Sequence, residues 1–182
     1  MTCIVGIGDG VKTWLGADSS YSQGASLSFS SPMGKLFRVG TEFIAGYAGY
    51  VKHGTLLKKE LKDFTIAPDA IKGLEEYEVV GLLADKVNKV FSLNPLNSKK
   101  ENRTSLLVGY KGTVYRIGVS FEVTTQENSF DSIGYTSSYA LGCLHGTKDT
   151  GLSPRDRIKQ SLMAAEYYNP SYTRKPFYIL SL

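Results

Sequence analysis

The sequence predicts an α+β chain folded as a four-layer αββα sandwich, two packed sheets covered by helices on both outer faces. Three observations lead there. Strand patterns come in runs separated by runs of helix pattern, as expected for segregated layers. The first strand, Thr2 to Gly8, puts Cys3, Val5 and Ile7 on one side and Thr2, Ile4 and Gly6 on the other, so both faces carry apolar residues and both should be buried. The chain has 182 residues, 42% of them hydrophobic and 21% charged, which suits one domain over residues 1–182 with a sizeable core.

Asp9-Gly10 is a two-residue hairpin signal, and the chain returns through Val11 to Ala17. Ser19 to Ser31 is Ser-rich and reads as a long turn. A second strand pair follows, Lys35 to Val39 and Glu42 to Tyr47, with a turn near Gly40-Thr41. Ala48-Gly49 breaks the strand pattern. A helix then buries Leu57, Leu61 and Phe64 at i, i+4 and i+7, while Lys58, Lys59, Lys62 and Asp63 face away. A second helix runs from about Glu75 to Leu93 on an apolar stripe of Val79, Leu82, Leu83, Val87, Val90 and Phe91, and Pro95 and Asn97 end it.

Strands return at Thr104 to Tyr110 and Thr113 to Gly118, joined by Lys111-Gly112, and again near Ser120 to Thr125. Asp131 to Gly134 leads into a short helix, Ser137 to Gly146. The last helix is signposted by Ser153 as cap, Pro154 at its first position and Asp156 completing the start, with Ile158, Leu162 and Ala165 as its buried stripe. Phe177 to Leu180 reads as a closing strand.

Composition narrows the function classes. The net charge of +4 is mild, and Lys99, Lys100 and Arg103 cluster between elements as a solvated loop rather than a nucleic-acid face. No apolar run approaches the roughly 18 residues of a membrane span, and the start lacks the stages of a secretory signal, so a cytoplasmic protein is expected. Cys3 and Cys143 are too few for a disulfide framework, and no zinc spacing, P-loop or dinucleotide fingerprint is present, so no cofactor or metal is expected. His53 and His145 read as surface or helix-end residues.

The start of the chain carries the chemistry. A threonine hydroxyl is a poor nucleophile unless a base takes its proton. If Met1 is removed, Thr2 holds both the hydroxyl and a free α-amine, whose unperturbed pKa of about 7.7–8.0 makes it a base near neutral pH. A neighbouring lysine ammonium would lower that pKa further. This chemistry places the nucleophile first on an already folded strand, which is how the chain begins.

Here the sequence resembles the proteasome β-subunit family of N-terminal nucleophile hydrolases, and within it the bacterial HslV-type peptidase and the short bacterial proteasome homologues. Thr2-Cys3-Ile4-Val5 matches the start of the mature enzymes, and "LGADSS" (Leu15 to Ser20) matches the motif that ends the second strand on an aspartate. "MGKLFRV" (Met33 to Val39) matches the segment carrying the active-site lysine, with one extra residue before Lys35. "FIAGYAGYVKHGTLL" (Phe43 to Leu57) matches the strand, small-residue turn and first helix. "SIGYTSSYALG" (Ser132 to Gly142) and "AAEYYNP" (Ala164 to Pro170) match later segments of the same family.

The resemblance implies a proteasome-subunit-like fold and a threonine peptidase that needs no cofactor. Thr2 would attack a peptide carbonyl, Lys35 would lower the amine pKa, and Asp18 would hold Lys35 charged by a charge-assisted hydrogen bond. The N–H of Gly49, between a strand and a helix, would receive the oxyanion. Two positions depart from the family. Tyr135 stands where a serine follows the Ile-Gly pair, with Thr136 in place of glycine, and Asn169 stands in place of an aspartate after the last helix. The nucleophile set Thr2, Asp18 and Lys35 is kept while its support is altered.

Three functions follow from the resemblance: a self-assembling peptidase acting on peptides or unfolded proteins, a catalytically silent shell subunit with the same fold, and amide hydrolysis of a small molecule. The family implies a homo-oligomer, ring or spiral, with the first two helices as contact surfaces, and allows an ATP-dependent unfoldase as partner. No nucleic-acid or membrane partner is expected.

Overall fold

The computed structural model describes residues 2–23, 27–30, 34–94 and 104–182. The Pro95 and Asn97 helix stop, the Lys99, Lys100 and Arg103 loop and Met33 lie outside the described residues.

The first half of the chain forms strands β1 (Cys3–Gly8), β2 (Thr13–Ala17), β3 (Ser20–Gln23), β4 (Leu27–Ser30), β5 (Leu36–Val39) and β6 (Phe43–Ala48). Helices α1 (Val51–Leu61) and α2 (Glu76–Leu93) follow, with a single 3-10 turn at Pro68–Ala70 between them. Then come β7 (Ser105–Tyr110), β8 (Thr113–Ile117), β9 (Val123–Thr125) and β10 (Phe130–Gly134). Helices α3 (Ser137–Gly146) and α4 (Pro154–Tyr168) and the closing strand β11 (Tyr178–Ser181) complete it.

One sheet has the order β10-β1-β2-β11 and the other β5-β6-β7-β8-β9, all neighbours antiparallel. The two faces of β1 meet different layers. Cys3, Val5 and Ile7 pack against Ala140 and Leu144 of α3 and Ile158, Leu162 and Ala165 of α4. Ile4 turns the other way and joins Leu15 with Ile44, Leu107 and Val114 of the second sheet. The outer face of that sheet carries α1 and α2, through Leu57, Leu61, Val80, Leu83 and Val87 against Tyr47 and Val108. The four-layer αββα architecture is therefore the fold of this chain. Full burial of a side chain such as Ile158 or Leu162 contributes about 1.5–3 kcal/mol, which is why the doubly apolar β1 was a strong signal.

Local chemistry sets the element ends. The Asp9 carboxylate accepts from the N–H groups of Val11 (2.9 Å) and Lys12 (2.7 Å), which takes both residues out of the ladder and delays β2 to Thr13. The hairpin is thus longer than its Asp9-Gly10 signal implied. Glu75 and Glu78 close a capping box at the start of α2, with the Glu75 N–H donating to Glu78 Oε2 at 2.7 Å. Ser153 Oγ accepts from the Asp156 N–H at 3.1 Å and starts α4 where expected.

One reading needs correction. Ser19 to Ser31 is not a long turn, because β3 and β4 form a hairpin within it, with Tyr21 opposite Phe29. The serines sit between Tyr21, Leu27 and Phe29 as the polar half of a period-2 pattern, and their number hid it. Phe130–Gly134 is a full strand paired with β1, and it leads into α3 at the expected position. Its Asp131 is only 3% exposed, and Arg116 donates to both its oxygens, at 2.6 and 2.8 Å.

Candidate active site

β1 and β2 run side by side, so Cys3, which opens β1, lies beside Asp18 just past the end of β2 and accepts from the Asp18 N–H at its carbonyl. Thr2 is the residue immediately before Cys3. Thr2 and Asp18 are buried, as is Lys35, which enters from the start of β5. The Asp18 carboxylate is saturated with donors. Its Oδ1 accepts from Lys35 Nζ at 2.7 Å and from the Cys3 N–H at 2.8 Å. Its Oδ2 accepts from the Ser20 N–H at 2.9 Å and from the Ser20 hydroxyl. One carboxylate oxygen therefore joins the ammonium to the Thr2–Cys3 peptide. The Lys35 ammonium also lies over the Tyr21 ring, 5.3 Å from its centroid.

Burial dominates the electrostatics of the two titratable groups bonded around Asp18, Cys3 and Lys35. Burial pushes the Cys3 thiol up from 9.0 to about 11, and the Asp18 charge adds to this, while hydroxyls of Thr136 and Ser132 pull the other way. Cys3 is a packed residue and not a thiolate. Burial pushes Lys35 below the ordinary lysine value, and the Asp18 carboxylate pulls it back up. Desolvation is the larger of the two effects.

Thr2 is held from the other side too. Its carbonyl accepts from the Tyr135 N–H at 2.9 Å. Gly134 just before it has φ +107°, and an added Cβ would lie 2.7 Å from the Thr2 carbonyl carbon, so only glycine permits this approach. The Tyr135 ring turns outward, 65% exposed, and packs on Tyr172 with centroids 4.6 Å apart.

Above Thr2 opens a cleft of about 700 Å³, lined among others by Tyr21, Gly49, Lys52, Ser105 and Tyr135. Gly49 follows β6 where the ladder ends, is exposed, and its N–H has no hydrogen-bond partner among the described residues. Of the sequence-predicted residues, Thr2, Gly49 and Tyr135 thus line one cleft, and Asp18 and Lys35 form the buried pair behind it. Asn169 lies apart from these contacts. It ends α4, and its carbonyl accepts from the N–H groups of Tyr172 and Thr173.

Sequence reasoning missed several members of this neighbourhood. Ser20 supplies half of the donors to Asp18, and a serine two residues after an aspartate is the local signal for such a bond. Thr136 and Thr173, both fully buried, bond to each other at 2.7 Å. His53, in the first turn of α1, is not a surface residue: it is 1% exposed, with Nδ1 2.6 Å from Thr104 Oγ1. His145, in the last turn of α3, is exposed.

The four-layer sandwich, with Thr2 just before a central strand and the buried Asp18–Lys35 pair behind it, is similar in fold to several solved structures. The chain matches the BPH of Thiobacillus denitrificans, solved with epoxomicin, at TM-score 0.83 and 14% identity, covering 100% of this chain and 98% of that one. It matches the eukaryotic HslV of Trypanosoma brucei at TM-score 0.75 and 18% identity, covering 100% and 99%. The Anbu complex of Pseudomonas aeruginosa, solved as a helical assembly, matches at TM-score 0.68 and 16% identity, covering 100% and 81%. No family model and no curated protein matches the sequence.

Proposed function

We propose that the chain is a proteasome-like threonine peptidase whose nucleophile is Thr2, freed by removal of Met1. The observation that carries this reading is the single Asp18 oxygen that joins the Lys35 ammonium to the peptide immediately after Thr2. With Met1 attached, the Thr2 nitrogen is an amide and cannot act as a base. Once freed, the α-amine takes the hydroxyl proton and Thr2 Oγ adds to the carbonyl carbon of a bound peptide. The Gly49 N–H bonds the oxyanion. As the carbon–nitrogen bond breaks, the amine returns its proton to the leaving group, and water then releases the acyl ester through the same base.

The fold likeness to an epoxomicin-bound protein supports this reading, as does the cleft directly above Thr2. Substrates are peptides or unfolded protein segments entering that cleft. Identical subunits assemble, in keeping with the helical Anbu assembly and with the exposed Tyr139, Tyr167 and Tyr168 on α3 and α4, Tyr168 stacked on Tyr139 and edge-on to Tyr167. No described helix is long and apolar enough to cross a membrane, which fits the cytoplasmic reading.

The silent-subunit alternative draws on one observation, the outward-turned Tyr135 ring where the family has a serine hydroxyl. Treating the purified protein with a peptide epoxyketone and reading intact mass separates the two. One adduct on Thr2 of a chain that begins at Thr2 is the expected result. An unlabelled chain that begins at Met1 refutes the peptidase and leaves the shell subunit.

A further inference from the structure

The hydrolase reading gives Gly49 a task but does not say what fixes its peptide plane. Gly49 lies past the last ladder pair of β6 and β7, Ala48 with Ser105, so the sheet no longer holds it. What stands behind it is Thr104. A Cβ on Gly49 would come within 2.9 Å of the Thr104 Cα, so backbone and side chain of Thr104 press directly on this glycine. Thr104 is itself 6% exposed, and its hydroxyl is taken by His53 Nδ1 at 2.6 Å.

His53 is rigidly placed. It sits in the first turn of α1, where its N–H donates to the Tyr50 carbonyl at 3.0 Å. Its ring packs against Phe91 of α2, centroids 5.0 Å apart, and against Tyr50 at 5.5 Å. The chain from Gly49 to His53 and the residue before β7 are thereby joined through one buried hydrogen bond. We infer that His53 is a positioning residue, which acts through Thr104 to fix the Gly49 N–H at the cleft. This rests on the reading of Gly49 as oxyanion donor, and it adds a side-chain pair to the set Thr2, Asp18 and Lys35.

Catalysis depends on this placement because an oxyanion donor stabilises the transition state only when it already points at the developing charge. A shift of about 1 Å at such a donor costs on the order of 100-fold in rate. The loss falls on the chemical step rather than on peptide binding.

The test uses His53→Phe, which keeps a ring, Thr104→Val, which keeps the shape, and Thr104→Ser, which restores the hydroxyl. With a fluorogenic peptide, His53→Phe and Thr104→Val should each lower kcat by roughly 10- to 100-fold with KM within about twofold. Thr104→Ser should regain most of kcat, and the double variant should be no worse than either single one. Thr104→Val with full kcat, or multiplicative losses in the double variant, overturns the inference. A crystal structure of Thr104→Val gives a readout independent of activity: the Gly49 peptide should move relative to Thr2, and an unmoved peptide overturns the inference. An inert wild type refutes the peptidase reading instead, and the crystal structure then decides the positioning alone.

Discussion

Replacing Lys35 by methionine isolates what the buried ion pair contributes. Methionine fills most of the lysine volume, so packing is largely kept and charge is what disappears. The Asp18 carboxylate would remain 0% exposed with three donors, the N–H groups of Cys3 and Ser20 and the Ser20 hydroxyl, and without the ammonium. Stranding a buried charge in this way costs about 3–5 kcal/mol. Against a total stability of about 5–15 kcal/mol, that is a large share. At about 2–4 °C per kcal/mol for a chain of this size, Tm should fall by roughly 6–20 °C. Adding Asp18→Asn removes the stranded charge, but an asparagine amide would turn its own N–H groups toward the Cys3 or Ser20 N–H, so recovery is incomplete. The double variant should nevertheless be no less stable than Lys35→Met alone. Urea unfolding followed by the fluorescence of the single tryptophan, Trp14, measures all three variants. A Lys35→Met cost below about 1 kcal/mol, the level of an exposed pair, would refute the reasoning. So would a double-variant cost equal to the sum of the single costs.

Stability should fall between pH 9 and 11 on account of Cys3. The folded chain keeps the thiol proton up to about 11 while the unfolded chain gives it up from 9.0, so unfolding releases a proton and rising pH favours it. The two-unit shift corresponds to about 2–3 kcal/mol. Lys35 opposes this: its lowered pKa means the unfolded chain binds more protons just below 10.5, so its own contribution rises with pH there. Cys3→Ala should flatten the decline in a pH series of unfolding curves, and a curve parallel to the wild type would show the thiol is not responsible. Two helix glycines should respond with opposite sign. Gly81→Ala in α2 meets nothing within 4 Å and should stabilise by about 0.5–1 kcal/mol, whereas Gly54→Ala in α1 drives a methyl into the Tyr47 ring and should destabilise by about 1–3 kcal/mol, both read by thermal unfolding.

The layers were legible because burial on two faces leaves a two-sided apolar strand, and β1 shows it from Cys3 to Ile7. Helix ends were legible where capping is local, as at Ser153 and Glu75. Strands whose polar residues are paired at long range were not. Asp131 can lie buried in β10 because Arg116, fifteen positions earlier, neutralises it. The same limit applied to the site. Thr2, Asp18, Lys35 and Gly49 stand out because their chemistry is tied to motifs, whereas His53 looked peripheral because nothing near it in sequence announces Thr104, fifty-one residues on.

The clamp on the Thr2–Cys3 peptide bears on how the site would work in time. Tyr135 grips the carbonyl and Asp18 the following amide, so both halves of one peptide unit are immobilised. A residue expected to fray is instead tied to the fold through the peptide that follows it. Such a site is assembled before any substrate arrives. On the proposed reading, this peptide unit needs no rearrangement before the chemistry.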